Sequence, residues 1–507
     1  MSNRRPVGRG VLSLLCLAAV LFTGCTRTQP AAIRFGLAYV PQKLDPRFST
    51  DATSSRLIRL LYRQLVDFDR RQRPVAALAS WARLSPLHYR FRLDPSRARF
   101  HDGRPLTAED VKATYDSVLD PKLASPHRSS VALIREVRVI DQDTVDFLLS
   151  KPDPAFPGYL VIGIMPKHLL ERGHDFSAAP VGSGPFRFHS WPQQGLLRLT
   201  RIKDRQLFEF VHITNANTRV LKLLRGEVDI IQNNLPYELT RYLESKKHVK
   251  VMHRNGSNFT YLSFNLRYEP LQDRRVRLAI AHAIDRAQIV RHMFGRKTRL
   301  AAAIFTPDHW AGDPQLRSYA YDPVKARALL RQAGYGPQRP LRLVYKTTNV
   351  PFRVRIATII QYQLKQVGIQ VSLRTYEWTT FYSDIKKGNF HLYSLSWVAV
   401  KSPDIFRYVY HSASIPQTGR QHASVGANRN AYRDTLVDRY IEQAEQTYDP
   451  AQRVRYYRLL HKRLLETLPV VPLWYEEHMA AVRRRVRGYR IAYDGNYDSL
   501  AAVTVRR

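Results

Sequence analysis

Cysteine is almost missing from this sequence. The 507 residues include only Cys16 and Cys25, too few for a disulfide scaffold or a four-thiolate zinc site. There is no Gly-x-Gly-x-x-Gly and no phosphate loop. A Gly-x-Ser-x-Gly nucleophile elbow and a His-Glu-x-x-His zinc pair are lacking as well. Acidic residues are scarce beside basic ones, 42 against 80, which leaves a net charge of +38. In a cytosolic chain that balance would make nucleic acid the first partner to consider. Past residue 25 no apolar run is long enough to span a bilayer. A hydrophobic content of 44% nevertheless supplies a folded core and argues against a mostly disordered chain.

The N-terminus changes how the charge is read. Arg4, Arg5 and Arg9 precede the apolar run Val11 to Phe22. That run is shorter than the roughly 20 residues a spanning helix needs and suits a signal-peptide core. It ends in Leu21-Phe22-Thr23-Gly24-Cys25. Small residues before a cysteine resemble the lipobox of bacterial lipoproteins, with Phe22 where Leu is usual and Leu21 one place back. A signal peptide over 1–24, acylation of Cys25 and a tether over 25–32 are therefore expected. An ordinary signal peptide or a short anchor helix is the alternative. On the lipoprotein reading no free thiol remains, so thiol catalysis and cysteine-ligated metals are excluded. Loss of three arginines and no acid takes the charge from +38 to +35. The body is expected in the periplasm or at the cell surface, a monomer held to the membrane by lipid and remote from nucleic acid.

The rest of the chain reads as α/β. Ile33, Phe35, Leu37 and Tyr39 alternate as a strand. Leu341, Leu343 and Tyr345 form another, followed by Ile356, Ile359, Ile360, Leu364 and Val367 on one helical face. Gly368 then stands at a helix end, and Ile369, Val371 and Leu373 alternate again. Strand, helix and strand in this order predict a parallel βαβ unit with a right-handed crossover. Asp322 before Pro323, Thr107 with Asp110, and Asp273 are candidate helix caps.

Chemistry-bearing clusters are few. His411 and His422, among 17 histidines, have no helical metal spacing and read as surface residues. Glu476-Glu477-His478 is a carboxylate–imidazole group without a partner in sequence, and reads as solvent-facing. The densest basic run, Arg483-Arg484-Arg485-Val486-Arg487, reads as a solvated face near an anionic membrane. No catalytic set, metal site or cofactor is expected, so the chain reads as a binder and not an enzyme.

Several blocks together resemble one known family. Trp81 to Val111, W-A-R-L-S-P-L-H-Y-R-F-R-L-D-P-S-R-A-R-F-H-D-G-R-P-L-T-A-E-D-V, is similar to the signature of family 5 extracellular solute-binding proteins. These are the oligopeptide-, dipeptide- and nickel-binding components of bacterial ABC importers. Leu44-Asp45-Pro46, Pro180 to Phe186, Gly226 to Asp229, Phe264-Asn265 with Asp273 to Arg277, Ala283-Ile284-Asp285, Tyr321 to Tyr335, Phe390 to Trp397 and Pro469 to Trp474 follow in the family's order. The resemblance runs from about residue 33 to the end. It implies a two-lobed periplasmic-binding-protein type II fold with an extra domain inserted in the first lobe. Lobe I would comprise 33–48, 180–265 and 483–507, the insert 49–179, and lobe II 266–482. It further implies a small solute or oligopeptide as ligand and ABC permease subunits as partners. A non-transport envelope protein on the same fold, chaperone-like or binding cell-wall fragments, is the alternative.

The sequence also departs from that family. In peptide-binding members an aspartate shortly after a tryptophan pairs with the peptide ammonium. By alignment Val400 stands in its place after Trp397, with Lys401 beside it and Asp404 four residues on. Valine accepts no hydrogen bond, and a desolvated ammonium without a partner costs several kcal/mol. Candidate cleft residues are Trp397, Val400, Lys401, Asp404, Tyr39, Asn265 and Asn428. Calorimetry with tri- to pentapeptides is expected to show little binding; micromolar binding that depends on a free N-terminus would contradict the role given to Val400.

Overall fold

The computed structural model describes residues 32–506 except 70–71, 95, 97–98, 194, 295–296, 399 and 417–425. The signal segment, Cys25, most of the tether and His422 lie outside the described residues. No described helix is long and apolar enough to cross a membrane.

Alternation at the start of the body becomes the strand Ile33–Leu37, whose Ile33, Phe35 and Leu37 are buried. It lies between parallel partners Leu207–His212 and Ile230–Gln232. The βαβ unit forms as expected: strands Leu341–Thr348 and Ile369–Tyr376 pair in parallel from Leu341↔Ile369 onward. The helix Pro351–Gln366 between them buries Ile356, Ile360 and Leu364. Asp322 accepts from the Lys325 amide at 2.8 Å and Asp273 from that of Arg275 at 2.8 Å. Asp110 accepts from the Thr107 amide at 2.8 Å. Each acid thus satisfies an amide that the first helical turn leaves without a partner.

One mixed sheet runs through the body. From one edge its main path is Ile369–Tyr376, Leu341–Thr348, Leu392–Trp397, Val249–Phe264, Val470–Arg483, Ile230–Gln232, Ile33–Leu37, Leu207–His212, Leu196–Arg201 and Phe186–Gln193. The two central strands are long, 16 and 14 residues. They pair antiparallel from Val249↔Arg483 to Ser263↔Val470, with the register broken between Arg254 and Asn258. On one side of the break Val249, Met479 and Ala481 pack with Leu223 and Ile231. On the other, Leu262, Phe264, Val471 and Leu473 pack with Ile280 and Ile360. A further core surrounds a four-stranded antiparallel sheet, Ala79–Ser85, His88–Leu93, Thr144–Leu149 and Ile134–Val139, and includes Tyr115 and Phe147.

Three sequence expectations need correction here. Glu476 and His478 do not face solvent: they lie on the crossing strand, where His478 is fully buried and Glu476 is paired with Arg353 at 2.6 Å. Short-range spacing could not reveal this, because both partners come from remote segments. His411 is also buried, beside Glu442. The basic run is not a free face either. Arg485 makes two 2.6 Å bonds to the fully buried Asp229.

At the register break Gly256 lies against the opposite strand. A Cβ there would fall 2.0 Å from the Glu476 carbonyl oxygen. Gly256→Ala is expected to lower stability by at least about 2 kcal/mol through overpacking. Gly336→Ala, where a Cβ meets nothing within 4 Å, should change it by less than about 0.5 kcal/mol. Paired denaturant melts compare the two.

Candidate ligand-binding cleft

A cavity of about 750 Å³ opens beside the crossing strands. One wall comes from Tyr39, the helix Ala52–Leu61 and the segment Gly158–Gly163. The other comes from Thr347–Val350, Trp378, Tyr382, the end of the strand Leu392–Trp397, and Arg429. Alternation on that last strand sets two kinds of group into place. Ser396 and Thr260 are opposite one another, their hydroxyls 2.7 Å apart, and both donate to Glu476. Trp397 instead stacks with Tyr261, ring centroids 6.5 Å apart. At the floor, burial pushes the Glu476 carboxyl up, but Arg353 and the two hydroxyls hold it below its ordinary value. Arg353 also reaches Tyr39, so one guanidinium touches both walls.

Charge pairs tie the walls together. Lys401 bonds Asp494 at 2.8 Å and approaches Asp67 at 3.5 Å. Arg59 holds Asp67 and Asp498, each at 2.8 Å. Although burial works against its charge, Asp494 is held well below the usual carboxylate range by Lys401 and Arg59. Farther out, Lys151 pairs with Glu445 at 3.0 Å, and Glu445 also accepts from Arg407.

Of the candidates read from sequence, Tyr39, Trp397, Val400, Lys401 and Asp404 line this one cavity. The Lys401 ammonium is committed to acids. Asp404 opens the helix Asp404–Tyr410 and does not cap it; Pro403 is the cap residue. Asn265 and Asn428 are not in the cavity wall. Asn265 donates to the Gly388 and Phe390 carbonyls, and Asn428 to those of His411 and Tyr432. Both serve as loop fasteners. Sequence reasoning missed Arg353, Glu476, Tyr382 and Arg429, which nothing local separates from other arginines, acids and tyrosines. Among the described residues no group of three or more His, Cys, Asp or Glu side chains could hold a metal ion.

Comparison with known proteins gives this arrangement its class. The model of the bacterial extracellular solute-binding proteins, family 5 (middle region), matches residues 73–417. The chain belongs to that family. It is similar to di/tripeptide-binding protein 2 of Pseudomonas aeruginosa, 27% identical over 517 residues, 94% of this chain and 96% of the relative. It is also similar to the glutathione-binding protein GsiB of Escherichia coli K12, 25% identical over 97% of this chain and 98% of the relative. Among solved structures, the oligopeptide-binding protein AppA of Bacillus subtilis superposes with a TM-score of 0.84 at 23% identity, covering 94% and 99% of the two chains. NikZ of Campylobacter jejuni gives 0.81 at 23% identity over 93% and 99%. The fold is thus the two-lobed type II periplasmic-binding-protein architecture.

Asp404 generates a pH prediction. Its carboxyl is pushed up to about 7 by burial, with Asp153 adding and the Ser402 hydroxyl opposing. Asp153, bonded at 2.6 Å by Tyr159, is itself pushed up to about 6 by burial and by Glu445. A folded value above the unfolded one means the folded state keeps a proton that the unfolded state releases. The Asp404 contribution is therefore greatest at acid pH and is lost as pH rises from about 4 toward 7. Asp404→Asn should be more stable than the native chain at pH 8. That gap should shrink by about 1–3 kcal/mol at pH 5, in thermal melts at the two pH values. Histidine titration is common to both proteins and cancels in the difference.

Proposed function

We propose that this chain is the lipid-anchored substrate-binding component of an ABC importer. It takes a peptide-like or other polar organic solute between two hinged lobes and delivers it to a membrane permease. The observation that carries this reading is the cavity beside the crossing strands, walled from both sides by aromatic rings and hydrogen-bonding groups. A volume of about 750 Å³ suits a small organic ligand. The names of the relatives, which bind di- and tripeptides, oligopeptides or glutathione, support the solute class. The order of arginines, apolar run and Cys25 supports the anchor and an extracytoplasmic location.

The mechanism is a two-state closure. Solute touching both walls stabilises the closed form by contacts that the open form lacks, and no covalent step is involved. Tyr39 would supply one wall, with Trp397, Val400 and Asp404 on the other. Lys401 with Asp494 and Asp67 would act as a clasp made only on closing. We place the hinge inside the central strands, near 254–258 and 476–478, where the packing partners change. The separate cores around Tyr115 and around Ile280 support an insert and a second lobe, while Leu57, Leu60 and Met165, within 49–179, pack with Ile33 and Phe35 of lobe I.

Native mass spectrometry of freshly purified protein is expected to reveal one co-purified organic solute. A protein that is empty, and that shows no compaction in small-angle scattering with any solute mixture, would contradict transport. Lys401→Ala should weaken binding of the identified solute by about tenfold or more, because Asp494 then closes into the cleft without its cation. Unchanged affinity would remove Lys401 from the clasp. Cys25→Ala should release the protein from the membrane fraction.

A further inference from the structure

The cavity's cations fall into two groups. Arg56 lies over the Tyr497 ring at 5.7 Å without an ion pair among the described residues, while Arg59, Arg353 and Lys401 each have a carboxylate partner. Arg429 has none: although it is buried, no ion pair reaches it among the described residues, and the residues outside that set contain no Asp or Glu. Its one described side-chain hydrogen bond goes to the Tyr382 hydroxyl at 2.7 Å. The guanidinium lies 4.9 Å from the Tyr382 ring centroid and 6.0 Å from that of Trp397.

Three buried arginines elsewhere in the chain also lack carboxylate partners but look different. Arg219 donates to the Ile213 and Thr214 carbonyls, Arg277 to those of Leu271, Gln272 and Thr467, and Arg286 to those of Ala301 and Pro472. These are structural fasteners, their fork filled by backbone oxygen. Arg429 donates to no described backbone oxygen from its side chain, and it lines the cavity. A guanidinium cannot shed its charge as a lysine can. Five donors and a fixed charge, with one donor used among the described residues and the guanidinium beside two flat rings, constitute an incomplete anion site.

We propose that Arg429, framed by Tyr382 and Trp397, is the anchor for an anionic group of the ligand, a carboxylate carried next to an apolar or planar moiety. This rests on the solute-binding reading and narrows it. Val400 in the same wall accepts no hydrogen bond, and Arg429 supplies a cation. The selected solutes are carboxylates whose amine is absent or blocked, recognised by a bidentate fork and by stacking on the rings.

The test uses probes that differ only at the anionic group: N-acetylated tripeptides as free acids and as C-terminal amides, and 3-phenylpropionate against 3-phenylpropanamide. Binding is read by calorimetry and by the fluorescence of the tryptophans near the site. The wild-type chain is expected to prefer acids by about 10- to 100-fold. Arg429→Gln should reduce that preference to about onefold, while Arg429→Lys keeps part of it. Tyr382→Phe, which leaves the guanidinium in place but loosens it, should weaken acids alone by a few fold and serves if the Gln variant does not fold. Equal binding of acid and amide, or failure of every acid to bind, overturns the anchor. A co-purified solute without any anionic group also overturns it, while leaving solute binding intact; absence of any solute and of closure counts against both.

Discussion

Backbone hydrogen bonding between Val249–Phe264 and Val470–Arg483 joins the two halves of the sheet into one surface. If the ladder were unbroken it would be stiff. The register break between Arg254 and Asn258 removes regular pairing from one short stretch, and the cores on either side share no apolar residue there. A break in the ladder is where the proposed bending would meet least backbone pairing. Gly256 allows the strands to approach at this point, and His478 fills the space beside it. The cavity sits next to the same point, so under the proposed closure a modest rotation there would open or shut it.

Closure brings charges out of water, and the structure shows how that cost is met. Arg353 and Glu476 each have further partners, Tyr39 on one side and two hydroxyls on the other. Lys401 lies between two acids, one of which Arg59 already neutralises. A buried pair is of little net value by itself, but breaking one is expensive. Such pairs therefore contribute less to overall stability than to fixing which closed arrangement forms. The raised carboxyls of Asp404 and Asp153 are the counterexample: no cation answers them at ion-pair distance among the described residues, and protonation relieves them instead.

What the sequence made legible follows the range of the interactions involved. The strand at Ile33, the βαβ unit around Ile356 and the caps at Asp322 and Asp273 rest on neighbours a few residues apart, and each formed as expected. Tyr39, Trp397, Val400, Lys401 and Asp404 were reached through the order of family blocks, and they do share one cavity. Asn265 and Asn428 were carried by the same resemblance, yet backbone carbonyls occupy their amides. Glu476 is misread because Arg353, Thr260 and Ser396, which bond it, lie far away in the chain, and His478 because its partner Asn233 does. Arg429 had no signal that would distinguish it among 80 cations.

Those cations also bear on the net charge. Arg277 saturates carbonyls at the end of the helix Pro450–Thr467, Arg286 joins Ala301 to Pro472, and Arg219 closes a loop around Ile213. In each case a guanidinium does the work that a cap, a water or an Asn amide does elsewhere. Burial pushes all three down to about 10, still protonated at neutral pH. Arg485 likewise fixes Asp229 and draws on the run that looked most like a surface patch. Part of the +38 is thus internal fastening, made at Arg219, Arg277 and Arg286 without matching acids. A positive total built this way is no guide to the partner. What remains informative is a buried cation that fastens nothing described to the backbone, and in the cavity wall Arg429, beside the rings of Tyr382 and Trp397, fits that description alongside Arg56.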